Sequence, residues 1–400
     1  MRLVAACFPV AMPEDSPIAH AQDAAETAGL IHAGDDAPGI SRRRCGTGFS
    51  YRDARGRTIR DAAVRRRIRA LAIPPAWSEV WICADPRGHV QATGRDARGR
   101  KQYLYHPRFR AFRDRAKFDH LLEFAACLPK IRARVDVDMA RPGMPPDKVL
   151  ATVVHLLETT MIRVGNASYA RENRSHGLTT LQNRHARIDG GKVRFRFRGK
   201  GGKTWDLGIR DRRVARIVRK MQDLPGQPLF QYLDEAGECR RITSGEVNDY
   251  LRGIAGREVT AKDFRTWTGT VLAAEALARC DPFESEAEAK RNLREAIANV
   301  AARLGNTPAI CRRCYVHPQI IEAYLAGGLK LRLGKDGTAR DTGLGPEERQ
   351  VLRLLRKAAQ PSGGLNGAGP RRHEKGPCRP LFALPAGQIS STWVPILVRS

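Results

Sequence analysis

The period of hydrophobic and polar positions changes along the chain, and those changes divide it. From Gly48 the apolar residues come in short clusters cut by turn material. Phe49-Ser50-Tyr51, Val80-Trp81-Ile82-Cys83 and Val90-Gln91-Ala92-Thr93 predict strands, separated by Asp85-Pro86-Arg87-Gly88 and Asp96-Ala97-Arg98-Gly99. A short helix over 61–71 falls between them. Helical material begins at 121–128 and is broken by Arg141-Pro142-Gly143-Met144-Pro145-Pro146. Over 147–162 the period lengthens, with apolar residues at 150, 153, 154, 157 and 161 forming a helical stripe. Thr243-Ser244-Gly245-Glu246 reads as a capping box that opens another helix. The same reasoning predicts helices over 262–279, 285–304, 308–315 and 318–325. Within this region the period returns once to two. In Val193-Arg194-Phe195-Arg196-Phe197-Arg198 the apolar residues share one face and the arginines the other. Gly199-Lys200-Gly201-Gly202 supplies a turn and 204–209 returns.

The pattern predicts an α+β chain. A small β-rich N-terminal domain over 41–118 precedes a mainly helical domain over 119–328 that carries a β-hairpin insertion. Residues 1–40, rich in Ala, Asp and Pro without a period, predict a flexible leader. Residues 329–400, basic and rich in Gly and Pro, predict a loosely ordered tail in which only 346–359 reads as helix.

Composition narrows the partner. The 400 residues, 42% hydrophobic, suffice for two or three domain cores, and the net charge of +28 points to a polyanion. The cations run from Arg42 to Arg379 rather than forming one tail, which predicts a folded surface that grips phosphates. Arginine predominates, and its fork suits bidentate phosphate contacts. Nucleic acid therefore ranks ahead of an anionic membrane or an acidic protein. No apolar run approaches the ~18–20 residues that span a bilayer. Val4-Ala5-Ala6-Cys7 follows too few residues to be a cleaved signal. Nine cysteines without a framework predict a reducing cytoplasm. Cys311 and Cys314 have C-x-x-C spacing, but no second pair completes a zinc set, so neither a metal nor a cofactor is expected.

The candidate chemistry centres on Tyr315. Leu304-Gly305-Asn306-Thr307-Pro308 reads as a helix stop and restart, with Gly305 at C′, Thr307 as cap and Pro308 in the first turn. Tyr315 then ends a short helix beside Arg312 and Arg313. A phenol, with a pKa of about 10, becomes a useful nucleophile only where cations stabilise the transition state it attacks through. Arg163 lies just past the 147–162 helix, where a cation also answers the helix dipole. Lys200 sits between glycines at a hairpin tip, placed to reach a phosphate site. Arg265, near the start of an apolar helix, requires an anion if buried, either Asp263 or a phosphate. Asn306 occupies the break before the tyrosine helix. Taken singly, each of these is an ordinary structural residue.

As an ordered set, Arg163, Lys200, Arg265, Asn306 and Tyr315 resemble the catalytic series of the poxvirus-type type IB DNA topoisomerases. Ile162-Arg163-Val164-Gly165, followed by Tyr169, Glu172-Asn173 and Gly177-Leu178-Thr179-Thr180-Leu181, resembles that family's first-arginine region. Phe197-Arg198-Gly199-Lys200 resembles its lysine strand, Lys262-Asp263-Phe264-Arg265-Thr266 its second-arginine motif, and Gly305 to Tyr315 its tyrosine segment. Gly99-Arg100-Lys101-Gln102-Tyr103-Leu104-Tyr105 looks like its DNA-contacting stretch, and the likeness covers about residues 45–326. Viral members carry histidine where this chain has Asn306, while bacterial relatives often carry asparagine. Phosphate binding, and no acid–base role, is carried over to Asn306.

The resemblance implies a monomer clamped around duplex DNA, cytoplasmic and associated with the nucleoid, that relaxes supercoils through a 3′-phosphotyrosyl link without ATP or metal. Arg100, Lys101, Gln102, Tyr103, Tyr105 and Tyr169 become expected DNA contacts. Two alternatives remain at this point. A tyrosine recombinase or integrase shares the Arg-Lys-Arg-Tyr logic, but typically has histidine where this chain has Asp263. A non-enzymatic DNA-binding protein of the same fold accounts for the charge alone.

Overall fold

Turn-punctuated sequence folds into an antiparallel sheet, and the helical stripes fold around one central helix. The computed structural model describes residues 17–332, 343–360 and 397–399; for 17–21 and 397–399 only the backbone is described. The chain forms two units, Met1–Asp119 and His120–Ser400.

The first unit holds α1 (Pro17–Thr27), β1 (Ile40–Cys45), β2 (Gly48–Arg52), α2 (Ala62–Ala70), β3 (Ser78–Ile82), β4 (Val90–Arg95) and β5 (Lys101–Tyr105). Its sheet runs β2-β1-β3-β4-β5 with antiparallel neighbours. Ile40, Ile68, Val80, Ile82 and Ala92 form the core, with Trp77 and Leu104 packed against it. Asp61 caps α2 by accepting from the amides of Ala63 and Val64. β1 is a strand that the hydrophobic pattern hides, because Arg42-Arg43-Arg44 fills it. Arg42 is accommodated by lying 4.2 Å over the Phe49 ring and donating to the carbonyls of Ile73, Pro74 and Trp77.

The segment expected to be a flexible leader contains α1, and Ala25, Ala28 and Leu30 are buried together with Phe109. Alanines give the helix little amphipathic contrast, and Phe109, far along the sequence, completes the cluster. Residues 1–16 of the expected leader lie outside the described residues. The helix expected from 121 begins earlier, as α3 (Pro107–Ala140), and continues through Pro129 despite the hydrogen bond that proline forfeits.

The second unit continues with α4 (Pro146–Thr160), α5 (Ala167–Asn173), β6 (Ala186–Asp189), β7 (Lys192–Arg198), β8 (Thr204–Arg210), α6 (Arg212–Gln222), β9 (Gln231–Leu233) and β10 (Cys239–Arg241). Then come α7 (Ser244–Ala255), α8 (Ala261–Ala278), α9 (Glu286–Leu304), α10 (Pro308–Tyr315), α11 (Pro318–Leu325), α12 (Pro346–Ala359) and β11 (Leu397–Arg399). In β7, Val193, Phe195 and Phe197 are buried and the alternating arginines exposed, as the period of two requires. The sheet order is β11-β8-β7-β6, and β9 and β10 form a separate hairpin. α8 is the hub, packed by α4, α7, α9, α10, α11 and α12.

Part of the expected loose tail belongs to this core. Glu348 of α12 is buried and accepts from Arg132 at 2.8 and 2.9 Å and from the Trp267 indole at 3.1 Å. Arg132 also pairs with Glu158 at 2.5 Å. A buried carboxylate is tolerated because these donors replace its lost water. The tail residues 361–396 and 400, and 333–342 within it, lie outside the described residues. The whole is α+β, a β-rich region followed by a mainly helical one.

Candidate active site

Four of the five candidate residues converge in the second unit, each held by a helix end or a glycine contact. α4 closes at Met161 in the left-handed conformation (φ +56°), uncommon for a residue with a side chain. The chain then runs through Arg163 to Gly165 alongside Gly177–Thr179. The Arg163 carbonyl accepts from Leu178 N at 2.9 Å, and the Val164 carbonyl accepts from Thr179 N at 2.7 Å. A Cβ on Gly177 would stand 2.5 Å from the Arg163 carbonyl and 2.6 Å from Gly165 Cα, so only glycine lets the segments touch. The two ends of the first-arginine region are thus one structural unit that fixes the Arg163 backbone.

The Arg163 guanidinium donates to Asn306 Oδ1 at 2.5 Å. Asn306 follows Gly305, which ends α9 at φ +60°. It is only 9% exposed, and its Nδ2 has no hydrogen-bond partner among the described residues. An unsatisfied buried donor is costly unless it serves a ligand.

Arg265 is 3% exposed on α8. It donates to the carbonyl of Met161 and, at 2.6 Å, to that of Leu304; its Nε is buried without a partner among the described residues. The anion expected for it within the chain is not Asp263. That carboxylate accepts from Thr260 N at 2.8 Å and lies 3.4 Å from His120 Nε2, so it caps α8 instead. Burial, and then the nearby charge of Arg163, lowers the Arg265 pKa. An arginine nevertheless stays charged at neutral pH. Among the described residues no carboxylate pairs with this buried guanidinium, which is held by carbonyls and lies 5.1 Å from the centroid of the Tyr315 ring.

Tyr315 ends α10, whose Thr307 cap accepts from Ile310 N and whose first residue is Pro308, as read from sequence. Its carbonyl accepts from Thr270 Oγ1 at 3.3 Å, and that oxygen accepts from His317 N at 3.1 Å. Gly269 of α8 faces the same backbone: a Cβ there would stand 2.6 Å from the Tyr315 carbonyl oxygen. Gly269 and Lys203, which donates to the Asn306 carbonyl at 3.2 Å, were not found from sequence. Neither belongs to a local pattern, and both act across the chain.

Lys200 lies on the turn between β7 and β8. It is exposed in the tight turn Lys200–Gly202, with its Nζ 5.6 Å from the centroid of Tyr169, another expected DNA contact. Among the other expected DNA contacts, Arg100 pairs with Asp96 at 2.7 Å and Gln102 donates to the same carboxylate at 3.1 Å. Lys101 pairs with Asp35 at 2.8 Å and lies 5.5 Å from the Tyr103 centroid; Tyr103 stacks on Tyr105 at 6.0 Å. That stretch of β5 is therefore an aromatic surface flanked by ion pairs. Cys311 is buried and its thiol is pushed up to about 11 by burial, which leaves little reactive thiolate.

The chain is similar to known DNA topoisomerases. Residues 106–330 match the model of the eukaryotic DNA topoisomerase I catalytic core, and residues 48–96 match that of the bacterial DNA topoisomerase IB N-terminal domain. The chain is 31% identical over 293 residues to the DNA topoisomerase 1B of Acanthamoeba polyphaga mimivirus, covering 72% of this chain and 87% of the viral one. It is 26% identical over 236 residues to DNA topoisomerase 1B of Vaccinia virus (strain Copenhagen), covering 57% of this chain and 70% of the relative.

Proposed function

This chain belongs to the type IB DNA topoisomerases, and from that premise we propose that Tyr315 is the nucleophile with which it relaxes supercoiled duplex DNA. The observation that carries the reading is the convergence on one tyrosine of a buried Arg265, with no carboxylate partner among the described residues, and the Arg163–Asn306 pair with its orphaned Nδ2. A phosphodiester supplies the anion these groups lack.

In the proposed reaction the Tyr315 phenol gives up its proton to solvent as its oxygen forms a bond to a backbone phosphorus, and the bond from phosphorus to the 5′-oxygen breaks. Arg163, Arg265 and Asn306 Nδ2 hold the non-bridging oxygens as charge redistributes. Lys200, aided by Arg163, gives a proton to the departing 5′-oxygen, which leaves as a hydroxyl. The phosphodiester energy stays in the 3′-phosphotyrosyl bond, so after strand rotation the 5′-hydroxyl attacks it and religation requires no nucleotide. Protein cations perform the neutralisation that a metal supplies elsewhere.

The division of labour we infer gives duplex gripping to the β-rich region over 41–118 and chemistry to 119–328. Arg100, Lys101, Gln102, Tyr103, Tyr105 and Tyr169 make the DNA contacts. The net charge of +28 supports the grip on DNA phosphates, and we infer a monomer clamped around the duplex in the bacterial cytoplasm at the nucleoid. No helix among the described residues is long and apolar enough to cross a membrane.

The test is a relaxation assay with a covalent-adduct gel on the wild-type chain and Tyr315→Phe. The wild type should relax DNA and form an adduct; the variant should bind DNA and do neither. Strand exchange between defined sites would assign the recombinases instead, and relaxation by Tyr315→Phe would place the nucleophile elsewhere.

A further inference from the structure

Two catalytic turns far apart in sequence meet on the start of one strand. Trp205 of β8 is 1% exposed, and its indole is pressed between two glycines. A Cβ on Gly199, just before Lys200, would stand 2.6 Å from the indole; one on Gly305, just before Asn306, would stand 2.5 Å from it. Phe197 stacks parallel to the indole at 6.1 Å. Two residues before Trp205, Lys203 holds both turns through its own groups. Its carbonyl accepts from Gly199 N at 2.8 Å and closes the Lys200 turn, while its Nζ donates to the Asn306 carbonyl at 3.2 Å.

We propose that Lys203 and Trp205 are positioning residues, a strut that fixes the Lys200 turn against the Asn306 turn. The tip has one backbone bond of its own, from Gly202 N to the Gly199 carbonyl at 3.1 Å, and Gly201 and Gly202 both sit at positive φ, so where the turn lies against the Asn306 turn depends on this base. The strut keeps proton donation at the leaving oxygen in step with the hold on the phosphate. Misplacement of a reacting group by about 1 Å costs up to about a hundredfold in rate, which makes such a brace consequential. The inference rests on the topoisomerase reading above.

Trp205 is too deeply buried to vary without risk to the fold, so the test uses half-buried Lys203 in the full chain. Lys203→Met keeps the stem and removes the donor. We expect single-turnover cleavage of duplex DNA, with protein in excess, to slow about tenfold or more, while melting temperature and DNA affinity stay unchanged. Lys203→Arg, which keeps a donor, should recover most of the rate. In a Lys200→Ala background, Lys203→Met should add little further loss, because the strut acts through the placement of Lys200. A wild-type adduct together with an unchanged Lys203→Met rate, or with losses that multiply in the double variant, overturns the strut alone. Absence of any adduct from the wild-type chain overturns the topoisomerase reading as well.

Discussion

Replacing Gly269 by alanine tests whether the nucleophile is set by contact between helix backbones. In the interior of an exposed helix this change stabilises by about 0.5–1 kcal/mol, since glycine loses more freedom on folding. At Gly269 the added methyl meets the Tyr315 carbonyl oxygen at 2.6 Å, where ordinary contact begins near 3.4 Å, so α8 and the end of α10 must part by about 0.8 Å. Its other neighbours, Tyr315 Cβ at 3.1 Å and Leu304 Cδ1 at 3.2 Å, leave no easier direction. Overpacking of this kind costs about 1–3 kcal/mol. The helical gain is offset, and the net change is a loss of about 1 kcal/mol, or roughly 2–4 °C in melting temperature. The larger effect falls on the chemistry. A shift approaching 1 Å at the nucleophile predicts single-turnover cleavage slowed by about ten- to a hundredfold, with duplex affinity unchanged. Gly253→Ala is the control: that glycine lies in α7, and a methyl added there would meet nothing within 4 Å, so stability should rise and cleavage stay constant. If Gly269→Ala also stabilises the chain and cleaves at the wild-type rate, the backbone contact does not set Tyr315.

Three further outcomes follow from the same geometry. Lys200→Ala should severely slow cleavage of ordinary DNA yet cleave a substrate with a 5′-thiolate leaving group at nearly the wild-type rate, because that group needs little protonation; equal slowing on both reduces Lys200 to a phosphate clamp. Exposed ion pairs are worth only about 0–1 kcal/mol, so phosphates can displace Asp96 and Asp35 from Arg100 and Lys101. Alanine at both positions should therefore flatten the log–log salt dependence of binding by about 1.8, and an unchanged slope removes this stretch from the interface. His120 has its pKa raised, chiefly by its hydrogen bond to Asp263 and further by Glu123. The stability it contributes is fully present below its unfolded value of about 6.5 and is lost as pH rises through the raised folded value. Melting curves of wild type and His120→Gln should thus differ most in acid and converge in alkali; a constant gap refutes the pair.

The tyrosine segment was legible because its signals are local. Gly305, Thr307 and Pro308 announce one helix end and the next start within four residues, and the structure places them as cap residues in those roles. Arg265 was legible as an arginine in need of a partner, but its partners were not, since carbonyls leave no mark in a sequence. Asp263 misled for the same reason: spacing alone does not say whether a carboxylate serves a neighbouring arginine or the helix cap. β1 escaped because three arginines mask its pairing, and α1 because alanines give no periodic contrast. Lys203, Trp205 and Gly269 escaped because each acts on a residue far along the sequence or on another helix.

The bond between Arg132 and Glu348 spans 216 residues, which gives the core a place in time as well as in space. During synthesis the ribosome makes the whole tyrosine segment before it makes Glu348. Until then Arg132 has the Glu158 carboxylate but not its second one, and the Trp267 indole, two residues from Arg265, lacks its acceptor. Contacts of such long range form late, after the loops between them have closed. The nascent chain therefore carries every group proposed for DNA cleavage before the helix that supplies Glu348 to the hub has been made.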